Sequence, residues 1–247
     1  MSPIRPLSHF SRLAHPGGER STSSLAYLRG PYRRIWSAES GATIDAVTTP
    51  PGPTGNTYDK YASTNPVERR LLAAFFTKLD TLLPTSAPDR ILEVGVGEGK
   101  VATRLARRYP HAQITVLDLP DDDLRNHWRT AELTGLFASA ERLPFADNTF
   151  DLVLAIEMLE HVERPDCVLA EINRVATGPV VLTVPWEPAW RLANLARGAY
   201  LKDLGNTPGH IQHWTRKAFR TTVSRHLSVR SASISFPWTL VSADARG

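Results

Sequence analysis

Three closely spaced glycines and two acidic residues have the types and spacing that point most directly to ligand chemistry. Gly95, Gly97 and Gly99 follow a short apolar run and precede a stretch of helical periodicity. Glycines in that position let backbone N–H groups come close to a ligand. Glu93 precedes the first glycine by two residues, and Asp118 ends a second apolar run about 20 residues beyond the loop, where a carboxylate can accept both hydroxyls of a ribose. The pattern predicts a nucleoside site.

The charges at this loop discriminate between the nucleosides that it could hold. Glu93 would repel a pyrophosphate but would attract a ligand that carries an ammonium and a sulfonium group. The third glycine comes one residue earlier than in a dinucleotide fingerprint, and Val101 follows Lys100 where a phosphate-binding loop needs Ser or Thr. These features favour S-adenosylmethionine over NAD or ATP. The alternative is a turn that serves the fold alone.

Alternating strands and helices position this loop. Apolar runs predict strands over 91–94, 113–117, 150–156, 179–184, 228–235 and 238–243. Helical periodicity predicts helices over 65–83, 99–109, 122–133, 164–175 and 215–226. The first of these helices has Asn65 as its N-cap and Pro66 at its first helical position. Such alternation implies an α/β fold with a mostly parallel sheet covered by helices on both faces.

The composition of the chain limits its class. Of its 247 residues, 42% are hydrophobic and 22% are charged, as in ordinary globular domains. No stretch approaches the roughly 20 apolar residues that a membrane-spanning helix needs. A single cysteine, Cys167, excludes an internal disulfide and a multi-cysteine metal site, and it favours a cytoplasmic location.

The N-terminal segment differs from the rest of the chain. Residues 1–55 are rich in Ser, Pro, Gly and Arg without an apolar period, so we expect a disordered or loosely ordered arm before a domain over 56–247. A transit peptide is the less favoured alternative. Residues 1–50 contain six arginines and three acids, and therefore hold most of the formal charge of +4. The nearly neutral remainder argues against a nucleic-acid partner.

Several motifs in order resemble those of class I S-adenosylmethionine-dependent methyltransferases of type 11, a group that includes ubiquinone- and menaquinone-pathway enzymes. The resemblance extends from about Tyr58 to the C-terminus, and its motifs are ILEVGVGEG at 91–99, VLD at 116–118, ASAERLPF at 138–145, NTFDLV at 148–153, EMLEHV at 157–162 and VVLTVP at 180–185. It implies a Rossmann-like sheet of seven mostly parallel strands with an antiparallel last strand. It also implies an N-terminal lid helix and a helical insert after the fifth strand.

The resemblance further implies which residues bind S-adenosylmethionine. The expected set is Tyr61, Glu93, Gly95, Val96, Gly97, Gly99, Asp118, Leu119, Ser139, Ala140, Glu141 and Ile156. In this set Glu93 lies near the ammonium group, Asp118 holds the ribose, and Leu119 packs on the adenine. Ser139 stands where the family often has an acid, and Tyr61 closes over the cofactor or packs at the entrance.

Histidines are the candidates for the transfer itself. Methyl transfer from a sulfonium is an in-line displacement, and a hydroxyl acceptor also needs a base. Histidine is the usual base near neutral pH. His161 follows the fourth strand, and His210 and His213 precede the last helix. The spacing of the last two could suit a metal, but no further ligand cluster supports one, so we expect no metal site.

The insert over 186–204 combines aromatic and basic residues. It could cover an apolar acceptor, could bind peripherally to an anionic membrane, or could pack as an ordinary helix on the sheet. We expect methylation of oxygen, nitrogen or carbon in an apolar or aromatic small molecule. The alternatives are an RNA or protein methyltransferase and a cofactor-binding regulatory protein without turnover. The oligomeric state is left open.

Overall fold

The structure is a computed structural model that describes residues 64–196, 198 and 200–247. The predicted N-terminal arm over 1–55 and Tyr61 lie outside these residues. Within the described part of the chain, no helix is both long enough and apolar enough to cross a membrane.

Helices and strands alternate along the described residues. The helices are α1 (Pro66–Leu82), α2 (Lys100–Arg108), α3 (Asp122–Thr130), α4 (Pro165–Val175), α5 (Glu187–Ala196) and α6 (Arg216–Val223). The strands are β1 (Arg90–Val94), β2 (Gln113–Asp118), β3 (Thr134–Phe137), β4 (Leu152–Ile156), β5 (Pro179–Pro185), β6 (Ser228–Ser235) and β7 (Trp238–Asp244). Short 3-10 turns lie at Leu159–His161 and Leu201–Asp203.

The start of α1 follows the predicted capping chemistry. Asn65 has an extended backbone, and its Oδ1 accepts the N–H of Val67 at 2.9 Å. Pro66 opens the helix, where its missing N–H costs nothing. The apolar stripe of α1, which includes Phe75 and Leu79, is buried against the sheet, so this helix is fixed by packing as well as by its cap.

The seven strands of the described residues form one sheet in the order β3-β2-β1-β4-β5-β7-β6. The strands from β1 to β5 pair in parallel, whereas β7 runs antiparallel to both β5 and β6. The predicted fold class is confirmed, including the antiparallel last strand.

One strand was missing from the predicted set. The helix predicted over 122–133 ends at Thr130, because Glu132 adopts a left-handed φ of 54° and Leu133 donates its N–H to the carbonyl of Trp128. The strand β3 follows. Its sequence lacks an apolar run, and it contains Gly135, above which the Trp128 ring fills the space of a β-carbon. A glycine of this kind satisfies packing that periodicity alone does not reveal.

Alternate residues of the central strands feed two apolar layers. Leu92 and Val153 pack with α4 and α6, whereas Ile91 and Leu152 pack with α1 and α2. A third, smaller cluster holds Trp128 and the loop after β1. The sheet is therefore buried on both faces, as parallel sheets are.

The strand order places a crevice at the carboxyl end of β1. Val94 pairs with Leu117 of β2 on one side and with Ala155 of β4 on the other. The connection after β1 leads to α2 on one face of the sheet, and the connection after β4 leads to α4 on the opposite face. The two connections diverge there, and open α/β sheets bind ligands at such points.

Candidate functional site

A cavity of about 500 Å³ opens at this edge of the sheet. Its volume is in the range of small-molecule sites. The helices α1 and α5 contribute lining residues such as Leu72 and Trp190. Gly99 is not among the lining residues, and Tyr61 lies outside the described part of the chain. The predicted cofactor residues that do line the cavity are Glu93, Gly95, Val96, Gly97, Asp118, Leu119, Ser139, Ala140, Glu141 and Ile156.

Gly97 holds the centre of the glycine loop. Its N–H donates to Asp118 Oδ2 at 2.8 Å, and its carbonyl accepts the indole N–H of Trp128, also at 2.8 Å. Gly97 has a φ of +52°, and a β-carbon placed on it would have no heavy atom of the described residues within 4 Å. The loop is thus anchored from both sides while its surface at Gly97 stays clear for a ligand.

Gly95 and Gly99 also make close packing contacts. A β-carbon on Gly95 would come within 2.5 Å of the Met158 side chain, and one on Gly99 would come within 2.5 Å of Leu133. Gly99 is also the left-handed N-cap of α2. The cofactor-binding role expected for Gly99 stays a prediction, and in the structure this residue supports the loop from beneath.

Two carboxyl groups lie at the loop in unusual environments. Glu93 is 1% exposed, and its Oε2 has no hydrogen-bond partner among the described residues. Burial, and then the nearby charge of Asp118, raise the pKa of Glu93 well above its usual range, against the N–H of Ala102. Burial also raises the pKa of Asp118, although the N–H groups of Gly97 and Leu119 oppose that shift. A cationic ligand group nearby would offset the cost of burying both carboxylates.

The cavity wall as a whole is acidic. Among the described residues that line it, there is one lysine, Lys100, and no arginine. Lys100 Nζ lies 3.6 Å from Glu98 Oε2. The acids that line the wall are Glu68, Glu93, Glu98, Asp118, Glu141, Glu157, Glu160 and Glu163. This charge balance suits a cationic nucleoside and opposes a pyrophosphate.

Beyond Asp118 the wall becomes partly apolar. Leu119 leaves 45% of its surface exposed and lines the cavity together with Ala140. Ser139 Oγ accepts the N–H of Glu141 at 3.2 Å and, as a hydroxyl, retains a donor. The Glu141 carboxylate pairs with the exposed Arg164 at the rim. This surface fits a flat ring with polar edges.

Two histidines converge at the opposite end of the cavity. His161 Nδ1 lies 2.9 Å from the carbonyl of Gly209, and His210 Nδ1 lies 3.2 Å from Glu187 Oε1. The two imidazole rings meet edge to face, with centroids 5.0 Å apart. Glu160 Oε1 is 4.0 Å from His161 Nε2. Two carboxylates and two imidazoles therefore meet here, although His161 and His210 belong to segments that are far apart in sequence.

The third candidate histidine lies elsewhere. His213 is exposed, does not line the cavity, and places its Nε2 2.8 Å from Asn206 Oδ1. The catalytic role expected for His213 does not agree with this position, because its ring is directed to the side chain of a neighbouring loop residue. Sequence spacing could not distinguish it from His210.

The insert after β5 covers the histidine end. Trp190 of α5 lies near the rings of His210 and Trp238, with centroid distances of 6.2 and 6.0 Å. Its indole N–H donates to Thr207 Oγ1 at 2.8 Å, and Asn194 Nδ2 donates to the carbonyl of Gly205 at 2.8 Å. The predicted helical insert is thus attached to the loop that carries His210.

Sequence reasoning did not single out Glu157 and Glu187. Glu157 follows β4 with a left-handed φ of 56°, and its carboxylate accepts the indole N–H of Trp238 at 2.5 Å. Glu187 begins α5, two residues after the end of β5. The available signal was an acid directly beyond each of two adjacent parallel strands, whose carboxyl ends meet at one edge. A buried pair such as Glu187 and His210 has no local signature.

Comparison with known proteins finds partial similarity to methyltransferases. Residues 92–178 match the family model described as a methyltransferase domain. Over these residues the chain is similar to methyltransferase domains. It is 39% identical over 123 residues to the malonyl-[acyl-carrier protein] O-methyltransferase of Geobacter sulfurreducens, a match that covers 48% of this chain and 44% of that protein. It is 38% identical over 104 residues to a ubiquinone/menaquinone biosynthesis C-methyltransferase of Dinoroseobacter shibae, covering 39% and 41%.

Solved methyltransferases share the fold of this domain. A SAM-dependent methyltransferase from Aquifex aeolicus superposes with a TM-score of 0.58 at 15% identity, over 74% of this chain and 94% of the other. The chain spans less than half the length of the two curated relatives. The region matched by the family model contains the glycine loop, Asp118 and the run from Glu157 to Val162, and it ends before Glu187 and His210.

Proposed function

We propose that this chain transfers a methyl group from S-adenosylmethionine to a small-molecule acceptor. The observation that carries the proposal is the acidic glycine loop: Gly97 leaves the cavity clear, Asp118 is anchored beside it, and Glu93 is a buried carboxylate with an oxygen that no described residue contacts by a hydrogen bond. A ligand with two positive charges compensates this arrangement, whereas a phosphorylated nucleoside does not.

In this proposal, each wall at the cofactor end, the part of the cavity around the glycine loop and Asp118, contacts a different part of the ligand. Asp118 accepts the ribose hydroxyls with lone pairs that its two backbone bonds leave available, because an ionised carboxylate has about four acceptor positions. Leu119 and Ala140 contact the adenine ring. Glu93 lies toward the ammonium group, and the backbone of Ile156 lies beside the methionyl part.

The acceptor lies between the loop and α5. Trp190 and Trp238 provide apolar and aromatic surface, while His161 and His210 provide the polar end of the cavity. This combination suits an apolar or aromatic molecule with one ionisable oxygen, nitrogen or carbon. Relatives that are named for O- and C-methylation support a small-molecule acceptor and leave the methylated atom open.

The protein contributes alignment, exclusion of water and control of a proton. When bound, the cofactor supplies the methyl group for an in-line displacement. The helix α5 covers the acceptor. This cover excludes water and holds the acceptor in line with the methyl group. His161 and His210 act on the proton that the acceptor must lose, and Glu187 fixes the orientation of the His210 ring.

Binding and turnover test this proposal separately. Calorimetry of the purified chain is expected to show binding of S-adenosylmethionine and S-adenosylhomocysteine, and none of NAD or ATP. Incubation with S-adenosylmethionine and a metabolite extract should then shift one compound by the mass of a methyl group. Binding without any methylated product over a broad extract would instead identify a regulatory cofactor-binding protein.

A further inference from the structure

A cluster of metal-ligand types lies at the histidine end of the cavity. Glu160, His161 and His210 each offer one ligand atom, and these three atoms lie within 4.8 Å of one another. Glu160 is 2% exposed and His210 is 7% exposed, while His161 is half-buried. We propose that these three residues bind a divalent transition-metal ion. This binding does not depend on the proposed methyl transfer.

The hydrogen bonds of the two histidines determine which ring nitrogen carries the proton. The carbonyl of Gly209 can only accept, so His161 Nδ1, 2.9 Å away, carries the proton. The Glu187 carboxylate likewise accepts from His210 Nδ1 at 3.2 Å. In each neutral ring Nε2 is therefore the unprotonated nitrogen, which is the tautomer that ligates metals through Nε2. Pairing of Nδ1 with a carboxylate or a carbonyl is the usual outer support of a metal-bound histidine.

The backbone holds the ligand residues together. The N–H groups of Ile211 and Gln212 both donate to the carbonyl of Glu160, at 2.9 and 3.0 Å. The Gln212 side chain donates to the carbonyl of Val162 at 3.1 Å. These bonds join the turn that carries Glu160 and His161 to the segment that carries His210. The three ligands are thus positioned in advance, which lowers the ordering cost of binding.

The donor set indicates the class of ion. Two imidazoles and one carboxylate suit Zn²⁺, Co²⁺, Mn²⁺ or Fe²⁺, whereas Mg²⁺ and Ca²⁺ prefer all-oxygen sets. Bonds of about 2.1 Å would place the ligand atoms roughly 3–3.5 Å apart, so the three atoms, which now lie within 4.8 Å of one another, must approach by up to about 1–2 Å.

The remaining coordination positions would face the acceptor space, because all three ligand residues line the cavity. An acceptor oxygen bound there would lose its proton more readily, since a divalent ion lowers the pKa of a bound oxygen. In that case His161 and His210 act on the acceptor's proton through the ion.

Cobalt binding tests this site without any turnover. The full chain, stripped with a chelator and free of any histidine tag, is titrated with Co²⁺ while its visible d–d bands are recorded, and Zn²⁺ is then added in competition. We expect a single Co²⁺ per chain, displaced by Zn²⁺ and not by Mg²⁺. His161→Ala and His210→Ala should each lose at least about 10–100-fold in affinity, and Glu187→Gln about 10-fold. The matched control is His213→Ala, which removes an exposed histidine of the same segment and should leave the affinity unchanged.

A second measurement covers variants that fail to fold. X-ray absorption at the cobalt edge of the unaltered chain should count two imidazole nitrogens and at least one oxygen. The proposal is overturned if the chain takes up no cobalt, if the bound ion shows no imidazole, or if the two alanine variants bind as the control does. If the chain binds the metal but does not bind S-adenosylmethionine, the proposed function is contradicted and the metal site is supported.

Discussion

The two ends of the cavity are built in different ways. At the cofactor end, the glycine loop and Asp118 belong to two adjacent strands and hold each other through backbone N–H groups. At the acceptor end, His161, Glu187 and His210 come from three distant segments, which are joined by side-chain contacts and by long-range backbone bonds to the carbonyl of Glu160. The first end is defined by backbone geometry and the second by long-range packing. We therefore expect the cofactor end to be sensitive to added volume and the acceptor end to be sensitive to lost contacts.

The largest effect is expected at Gly97. Gly97→Val places a branched side chain in the space where the ligand would lie, and we expect the affinity for S-adenosylhomocysteine to fall at least about 100-fold, or roughly 2.7 kcal/mol. Calorimetry measures this, and circular dichroism checks that the chain is folded.

Gly198→Val is the matched control for this variant. Gly198 also has a positive φ, of +71°, and a β-carbon placed on it would likewise have no heavy atom of the described residues within 4 Å, but Gly198 does not line the cavity. Both variants carry a backbone strain of about 1–2 kcal/mol. If they bind the ligand equally well, the glycine loop is not the cofactor surface.

Asp118→Ala should weaken cofactor binding by about 1–3 kcal/mol, because charge-assisted hydrogen bonds to the ribose and the anchor of Gly97 are both lost. The kcat measured at saturating cofactor should fall less than the affinity for the cofactor does. Calorimetry together with steady-state kinetics separates the two effects, and an unchanged dissociation constant would contradict the assignment of Asp118.

Glu187→Gln tests the acceptor end. Replacing the carboxylate beside His210 should lower turnover about 10-fold, since an amide can donate to the ring as well as accept from it and so no longer fixes its tautomer. The affinity for S-adenosylhomocysteine should not change. The pH profile of kcat should shift as well, which a purely structural role of Glu187 would not produce. A loss of cofactor affinity with unchanged kcat would reverse the roles of the two ends.

Glu93→Gln should stabilise the chain in the absence of cofactor. Burial raises the pKa of Glu93 in the folded state, so that state binds the proton more tightly than the unfolded state does. The stability of the unaltered chain therefore falls as pH rises from about 4 through the raised pKa, the window in which only the unfolded state loses the proton.

Glu93→Gln removes this dependence of stability on pH. At neutral pH we expect the free energy of unfolding to rise by about 1–3 kcal/mol, and each kcal/mol should raise Tm by about 2–4 °C. The gain should disappear near pH 4, and cofactor affinity should fall at neutral pH because the carboxylate charge is lost. Thermal melts at both pH values measure this. A variant less stable than the unaltered chain at pH 7 would show that the carboxylate is satisfied as it stands.

The smallest effect is expected at Arg164. This exposed guanidinium pairs with Glu141 at the rim of the cavity, and exposed ion pairs contribute little. Arg164→Ala should change stability and cofactor affinity only marginally, within the range typical of surface substitutions. A marked loss of affinity in calorimetry would mean that rim side chains, rather than backbone geometry, define the cofactor end.

The sequence predicted the lining of the cavity better at the glycine loop than at the histidines, for a physical reason. The apolar runs of β1 and β2 are visible in the sequence. They locate three residues near the ends of these strands, namely Glu93, Gly97 and Asp118. The sequence does not show that Gly97 and Gly99 are glycines for different reasons. The difference depends on packing, because Leu133 occupies the space of a β-carbon at Gly99 and no described residue does so at Gly97.

The acceptor end depends on contacts between segments that sequence spacing does not relate. His210 and His213 are equivalent in sequence, yet of the two it is His210 that meets Glu187. The strand β3 escaped prediction for a similar reason, since Gly135 is accommodated by the ring of Trp128. In each case a distant side chain determines the outcome.

A structure of the chain with S-adenosylhomocysteine tests the central claim most directly. The account predicts the ribose hydroxyls on Asp118, the amino group toward Glu93, and the sulfur directed to the side of the cavity that holds His161 and His210. A nucleoside bound away from the glycine loop, or a phosphorylated nucleotide in its place, would contradict it.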